Sequence, residues 1–152
     1  MRKRKLIRGI IFLVIGFAWL AVAIYFNTKD ESVEDKLKDI SFELKDNEYS
    51  REVKKDDETY KEIINVDKNE YSKIYNTNNE KKIYTYNYEK DSFTYEYYVE
   101  NILTSTLKYH YPSDNVTEDN SNIYESLKGN INMIKTSFEE LLYDNDINKE
   151  DL

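Results

Sequence analysis

The sequence predicts an α+β protein, in which one N-terminal transmembrane helix is followed by one small exported domain. In that domain an antiparallel, tyrosine-rich sheet is covered by a C-terminal helix. Three observations carry this prediction: a long apolar run near the N-terminus, alternating apolar and polar residues in the middle of the chain, and an apolar face with helical spacing near its end. The chain has 152 residues, which leaves room after the apolar run for a single modest core.

The apolar run at residues 6–26, LIRGIIFLVIGFAWLAVAIYF, predicts a transmembrane signal-anchor. It holds no charged side chain from Gly9 to Phe26, and about 18 apolar residues are enough to cross a bilayer as a helix. Residues 1–5 form a basic cluster, and Lys and Arg beside a membrane segment stay on the cytoplasmic side. We therefore expect a single-pass protein of the cell membrane, with a cytoplasmic N-terminus and its domain outside the cytoplasm.

A cleaved signal peptide is the alternative interpretation of this run. Ala21-Val22-Ala23 matches an A-x-A cleavage site, and cleavage near Ala23 would give a secreted protein. The anchor is favoured because the apolar run continues to Phe26 without a helix-breaking residue.

Small residues recur every seven positions within the run, at Gly9, Gly16 and Ala23. Seven residues are nearly two helical turns, so the three lie close to one helix face and allow a second membrane helix to approach. Small residues are also common in membrane helices of every kind, which is the simpler explanation of this spacing.

Charge and cysteine content exclude several classes of partner and chemistry. Of the 22 basic residues 5 precede Phe26, which leaves 17 against 30 acidic ones, a formal charge of −13 for the rest of the chain. That charge repels phosphate backbones, so we expect no nucleic-acid partner. The absence of Cys excludes disulfides, thiolate nucleophiles and Cys-ligated metals.

The segment after the anchor divides into a stalk and the start of the domain. Residues 27–38 are highly charged and predict a juxtamembrane stalk, and residues 39–143 form the predicted domain. Alternation of apolar residues over residues 39–54, with turn residues at Asp46-Asn47, predicts a first hairpin. Residues 59–75 fit either a helix or two strands, of which the strands are favoured, and residues 76–80 predict a turn.

The strongest pattern of the domain is a hairpin of tyrosine-rich strands over residues 82–99. With a loop at residues 89–92, Tyr88 would lie opposite Phe93, Tyr86 opposite Tyr95 and Tyr84 opposite Tyr97. We call Tyr84, Tyr86, Tyr95 and Tyr97 the tyrosine stripe.

The tyrosine stripe is expected to form the core face of the sheet, since aromatic residues in strands are usually there to pack. The alternative is an exposed platform for protein or glycan contact, because Tyr combines a flat apolar face with a polar tip. Tyr98 lies on the opposite strand face, between Glu96 and Glu100, and a core explains it least. The stripe and Tyr98 are the candidate interaction surface.

The remaining elements are less uniform. Residues 100–111 fit a strand or a helix, whereas residues 121–143 carry a continuous apolar face with the spacing of a helix. Residues 144–152 are acidic and predict a flexible tail.

No catalytic, cofactor-binding or metal-ligating constellation is predicted. Fragments such as Ser105-x-x-Lys108 lack the structural context that gives such a motif meaning. A single histidine such as His110 usually has a structural role and not a catalytic one. We therefore expect a membrane-anchored, non-catalytic protein that acts in a cell-envelope complex through protein contacts. The alternative is an anchored or secreted module that binds cell-wall glycans through the tyrosine stripe.

Overall fold

The computed structural model describes residues 17–20, 31–55, 58–111 and 121–152. The chain divides into two compact units, Met1–Ser32 and Val33–Leu152. In the first unit residues 17–20 are helical. The rest of the predicted anchor at residues 6–26, with Gly9, Gly16 and Ala23, lies outside the described residues. Within the parts of the chain that are described, no helix is long and apolar enough to cross a membrane.

The second unit is an α+β domain built on one antiparallel sheet of seven strands in the order of the chain. Its elements are α1 (Val33–Asp39), β1 (Glu43–Lys45), β2 (Glu48–Lys55), β3 (Glu58–Asn65), β4 (Glu70–Asn76), β5 (Glu80–Asn87), β6 (Ser92–Val99), β7 (Ile102–His110), α2 (Ser121–Asp144) and a final 3₁₀ turn, η1 (Lys149–Asp151). The predicted tyrosine-rich antiparallel sheet and C-terminal helix are confirmed. So is the choice of strands for residues 59–75, while residues 100–111 prove to be largely strand.

Two tight turns fix the register at both ends of the sheet. Asp46 and Asn47 join β1 to β2 with φ angles of 51° and 60°, the left-handed pair that a type I′ hairpin turn requires and that Asp and Asn tolerate. Glu100 and Asn101 join β6 to β7 with φ angles of 51° and 66°. The turn predicted at Asp46-Asn47 is therefore confirmed, although its first strand begins at Glu43 and not at residue 39.

The register predicted for the tyrosine-rich hairpin is wrong by two residues. Tyr86 pairs with Phe93 and Tyr84 with Tyr95, so each tyrosine keeps the predicted face but meets a different partner. The Asn87 side chain accepts a hydrogen bond from Lys90 N at 2.8 Å, which stabilises the turn. The strands therefore end at the pair Asn87 and Ser92 and not at the expected pair Tyr88 and Phe93. Tyr88 leaves the ladder, and its ring stacks on Phe138 of α2 at 4.9 Å.

The core lies between α2 and one face of the sheet. From the helix come Leu127, Ile131, Ile134, Phe138, Leu141 and Leu142, and from the strands come Ile64, Tyr71, Tyr84, Tyr86, Phe93, Tyr95 and Leu107. Phe138 is the centre of this packing, since its ring also meets Tyr71 at 5.3 Å and Tyr86 at 5.9 Å. Burial of large aromatic side chains supplies most of the stabilisation in a core of this kind.

Both ends of the domain contribute to the core, which corrects two predicted boundaries. The predicted stalk at residues 27–38 overlaps α1, whose Leu37 is fully buried. The predicted flexible tail at residues 144–152 places Ile147 in the core at 6% exposure. Lys149 Nζ also donates a hydrogen bond to the carbonyl of Tyr88 at 2.7 Å. A charged sequence around one apolar residue conceals such contacts, because only tertiary structure shows what the residue meets.

Candidate functional site

A cleft in the domain lies between α2 and the adjoining ends of β3, β4 and β5. Its volume is about 570 Å³, within the range of roughly 300–1,000 Å³ that is usual for small-molecule sites. The lining residues are Glu58, Thr59, Tyr75, Asn76, Thr77, Glu80, Lys82, Tyr84, Asn130 and Met133. Most of these side chains are polar, and only the tyrosine rings and Met133 give apolar surface.

Strand pairing brings the sheet residues of the cleft together. Tyr75 of β4 pairs with Lys82 of β5, and Tyr84 follows Lys82 by two residues on the same strand face. The turn between the strands is closed by Thr77, whose backbone N–H donates to the carbonyl of Glu80 at 2.8 Å. Asn130 completes the lining from α2.

The aromatic side of the cleft is part of a continuous row of tyrosines across the sheet. Tyr60 stacks on Tyr75 at 5.1 Å, Tyr75 meets Tyr84 edge to face at 5.6 Å, and Tyr84 meets Tyr95 at 5.2 Å. Burial raises the pKa of Tyr75 to about 12, and it also raises the pKa of Tyr84. Both hydroxyls therefore stay protonated at neutral pH and are able to donate as well as accept hydrogen bonds.

Three charged side chains flank these rings. Lys82 Nζ lies 3.9 Å from Glu80 Oε2 and 5.7 Å from the centre of the Tyr97 ring. Burial and a hydrogen bond with Glu80 raise the pKa of Tyr97. With Glu58 as the second carboxylate and Lys82 as the cation, the lining carries a small net negative charge.

A smaller depression of about 170 Å³ adjoins the cleft and shares the residues Asn76, Thr77 and Glu80 with it. The other residues that line it are three asparagines and one residue of each charge, namely Asn78, Asn79, Asn101, Lys81 and Glu100. The two hollows together form a polar track that passes from the aromatic rings to amide side chains.

The predicted interaction surface is divided between the core and other parts of the sheet. Tyr84, Tyr86 and Tyr95 are only 8%, 5% and 8% exposed, so these three members of the tyrosine stripe belong to the core and do not form the exposed platform of the alternative interpretation. Tyr97 is half-buried beside the cleft. Tyr98 lies on the other face of the sheet, where its hydroxyl donates to Glu96 Oε2 at 3.1 Å.

A buried ion network that the sequence analysis missed lies under α2. Glu62 is 3% exposed, accepts a hydrogen bond from Arg51 Nε at 2.7 Å and another from the Tyr71 hydroxyl at 2.7 Å, and lies 3.6 Å from Lys73 Nζ. Lys73 Nζ donates in turn to Ser137 Oγ at 3.0 Å. The signal for this network was that Glu62 and Lys73 occupy core-face positions of their strands, where an apolar residue is expected.

The contact between Lys73 and Ser137 resembles a base beside a nucleophile, but its surroundings favour a structural role. Burial lowers the pKa of the Lys73 ammonium, whereas the Glu62 carboxylate beside it favours the charged form. Buried charges of this kind are retained when each has a partner, and breaking the pair is costly. We therefore interpret the network as the polar part of the contact between the sheet and α2.

The two edges of the sheet differ in how open they are. At one end, β1 has only three residues. At the other end, β7 has nine residues and, among the residues that the structure describes, pairs with β6 alone. Its first two residues, Ile102 and Leu103, have side chains that are 69% and 49% exposed. This edge is the second candidate site.

Within the described ranges, no group of three or more His, Cys, Asp or Glu side chains is arranged to hold a metal ion. His110, the only histidine of the chain, is exposed at the end of β7 opposite Ser92. Comparison of the chain with protein-family models, with curated proteins and with solved structures found no match.

Proposed function

We propose that this chain is a membrane-anchored, non-catalytic protein of the cell envelope, a subunit or accessory factor whose domain holds an extended segment of a partner protein along β7. The observation that carries this proposal is the outer edge of β7, which no other strand of the described residues joins, together with the exposed side chains of Ile102 and Leu103. An extended segment that adds to such an edge gains main-chain hydrogen bonds, and its side chains meet those of the strand.

The regular part of this edge is long enough for a specific partner. A bulge interrupts the pairing of β6 with β7 between Tyr97 and Tyr98, so the edge offered to a partner is the regular stretch from Ser105 to Lys108. Its four residues lie within the usual strand length of about 3–10 residues. The bulge and the exposed Lys108 oppose indiscriminate association of edges, which is compatible with one selected partner.

Charge favours a different protein over a second copy of this chain as the occupant. The residues after Phe26 carry 30 acidic and 17 basic side chains, so two such domains repel each other at long range. A neutral or basic extended segment is attracted instead. Apolar residues in that segment would cover Ile102 and Leu103, which the domain alone leaves in water.

The proposed location rests on the sequence of residues 1–26. The uncharged run from Gly9 to Phe26 and the basic residues before it support an uncleaved anchor with the domain outside the cytoplasm. Mass spectrometry of the mature N-terminus tests the anchor, because cleavage near Ala23 would remove the basic cluster. Protease protection in sealed vesicles tests the orientation.

Site-specific crosslinking of the full chain in its native membrane tests the β7 proposal. A photo-crosslinking benzoylphenylalanine residue replaces Thr106 on β7 or, as a control, Lys61 of β3, which is also exposed. We expect crosslinks from position 106 to one protein, through a stretch of consecutive residues whose neighbours crosslink to adjacent β7 positions. The control position should yield none to that protein.

A matched pair of variants tests the same proposal energetically. The Ile102→Asp/Leu103→Asp double variant should lose the crosslinked partner, because charge at these positions opposes burial against it. Leu44→Asp on β1 should retain the partner, since Leu44 is similarly exposed, at 41%, on the other edge. Crosslinks of position 106 to a second copy of the chain, or equal losses in both variants, would contradict the proposal.

A further inference from the structure

The cleft between α2 and the ends of β3, β4 and β5 is independent of the β7 edge, because none of its lining residues belongs to β7. Its chemistry points to a class of ligand. Thr77 and Asn130 bear neutral hydroxyl and amide groups, and Thr59 and Asn76 line the cleft at the ends of β3 and β4. Hydroxyl and amide groups donate and accept hydrogen bonds at the same place. A ligand rich in hydroxyl groups has the same dual character.

The apolar part of the lining fits the same ligand. The half-buried Tyr75 contributes aromatic surface and a protonated hydroxyl, while Tyr84, at 8% exposure, contributes only the small part of its side chain that reaches the cleft. Met133 contributes a flexible apolar side chain that is 37% exposed. A pyranose ring presents C–H groups on its faces and hydroxyls around its rim, so it meets aromatic surface and polar side chains at once. A basic peptide is the main competing ligand, because Glu58 and Glu80 give the lining a net negative charge.

The charge of the cleft narrows the class of ligand further. The cleft holds the carboxylates of Glu58 and Glu80 against the single ammonium of Lys82, and Lys82 is already near Glu80 at 3.9 Å. The whole domain is acidic as well. An anionic saccharide, such as a uronic-acid or phosphate polymer, is therefore repelled.

We propose that this cleft is a binding site for a neutral oligosaccharide, with one sugar ring beside Tyr75 and Tyr84 and the following rings along the asparagine-rich depression of Asn78, Asn79 and Asn101. The site goes beyond the protein-binding role assigned to β7. It also differs from a platform on the tyrosine stripe, because Tyr86 and Tyr95 take no part in it.

Titration calorimetry of the full-length protein in detergent tests this site. The probes are the tetramers of β-1,4-linked N-acetylglucosamine, β-1,4-linked glucose and α-1,4-linked glucose, with tetragalacturonate as the anionic comparison and a basic lysine-rich peptide as the peptide comparison. We expect at least one neutral tetramer to bind with saturation, and neither tetragalacturonate nor the peptide to compete with it.

Two asparagines of α2 provide the matched variants. Asn130→Ala removes a lining amide, and Asn132→Ala removes an exposed amide two residues away that does not line the cleft. Loss of one or two hydrogen bonds should raise the Kd of Asn130→Ala about three- to tenfold, while Asn132→Ala stays at the original value. Unfolding midpoints of both variants check that the fold is retained.

Several outcomes overturn the proposal. Absence of binding by every neutral tetramer does so, and so does equal weakening by Asn130→Ala and Asn132→Ala. Binding of tetragalacturonate or of the basic peptide with sensitivity to Asn130→Ala would assign the cleft to another ligand class. The Ile102→Asp/Leu103→Asp variant should bind the tetramer normally, so failure of this site and failure of the β7 proposal are distinguishable.

Discussion

The two faces of the sheet show how the same strands serve packing on one side and solvent on the other. The face under α2 holds every strand residue of the buried apolar core, including Tyr71, Phe93 and Leu107. The opposite face carries a row of isoleucines, Ile63, Ile74 and Ile83, which are only half-buried. Polar pairs lie between them, such as Ser72 and Thr85, whose hydroxyl oxygens are 2.9 Å apart.

The difference shows that burial, and not apolar character alone, decides what a strand residue contributes. An isoleucine on the open face stabilises the sheet only by packing against side chains of neighbouring strands. A tyrosine on the covered face is also removed from water, because α2 packs on it. Charged groups follow the same division. Glu62 is paired on three sides on the covered face, while Glu96 on the open face receives one hydrogen bond, from Tyr98.

The largest predicted effect is a loss of stability at alkaline pH, which acts on the buried tyrosines of the covered face. Burial raises the pKa of both Tyr75 and Tyr95 to about 12, above the value of about 10 in an unfolded chain. Between these values the folded state binds more protons than the unfolded state, so the free energy of unfolding falls as pH rises. The stabilisation is complete below about pH 10. The lowered pKa of Lys73 acts in the opposite direction but is a single group.

Urea unfolding at about pH 9 and about pH 11 measures this effect. We expect a much lower unfolding midpoint at the higher pH, together with tyrosinate absorbance that rises cooperatively as the domain unfolds. A gradual increase in absorbance with an unchanged midpoint would contradict burial as the cause of the raised tyrosine pKa values.

Removing the central ring of the covered face should have the largest effect among single substitutions. Phe138→Ala deletes a ring that meets Tyr71, Tyr86 and Tyr88, and the free energy of unfolding should fall by about 3–5 kcal/mol. Ile74→Ala on the open face should cost only about 1 kcal/mol. Chemical denaturation of both variants gives the comparison, and equal losses would mean that the open face is covered in solution.

Breaking the buried ion network should cost almost as much. Glu62→Ala leaves Arg51 and Lys73 without their carboxylate, and we expect a loss of about 3–5 kcal/mol in the free energy of unfolding. Glu96→Ala on the open face should change it by no more than about 0.5 kcal/mol. If the Glu62→Ala loss vanished in high salt, the network would be exposed to solvent, contrary to the 3% exposure of Glu62.

The smallest predicted effect is a gain in stability. Gly129 is exposed in the middle of α2, and a Cβ atom added there would have no neighbouring atom within 4 Å. Gly129→Ala should therefore raise the free energy of unfolding by about 0.5–1 kcal/mol through helix propensity alone. A decrease measured by thermal unfolding would show that the helix needs flexibility at this position.

The elements of this fold follow from local sequence patterns. Alternation with a period of two marked the strands, Asp46-Asn47 marked a turn, and the apolar face of residues 121–143 marked α2. The alternation also assigned Tyr84, Tyr86 and Tyr95 to the core face. These predictions depend on neighbours in sequence, and such patterns survive without knowledge of the tertiary structure.

What depended on tertiary contacts was not predictable. Two registers of the tyrosine hairpin put the same residues on the same face, and only the contact of Tyr88 with Phe138 and the turn at Asn87 separate them. Ile147 stands alone among polar and charged residues, so no period shows that it is buried. Leu37 has only Val33 and Ile40 at helical spacing, a pattern too short within a charged segment to predict a packed helix. The cleft draws its lining from three strands, a turn and a helix, and a set so scattered leaves no motif in the sequence.

The order of the strands has a consequence for how the protein folds during its synthesis. Every strand pairs with its neighbours along the chain, so the sheet is able to assemble from hairpins that close rapidly while synthesis continues. The helix that covers its aromatic side is made after all seven strands, from residue 121 onward. A nascent chain that has not reached this point presents a bare surface of tyrosine and phenylalanine rings to its surroundings. We therefore expect the domain to be prone to aggregation until α2 covers this face. Chains that stop short of α2 should require chaperones to remain soluble.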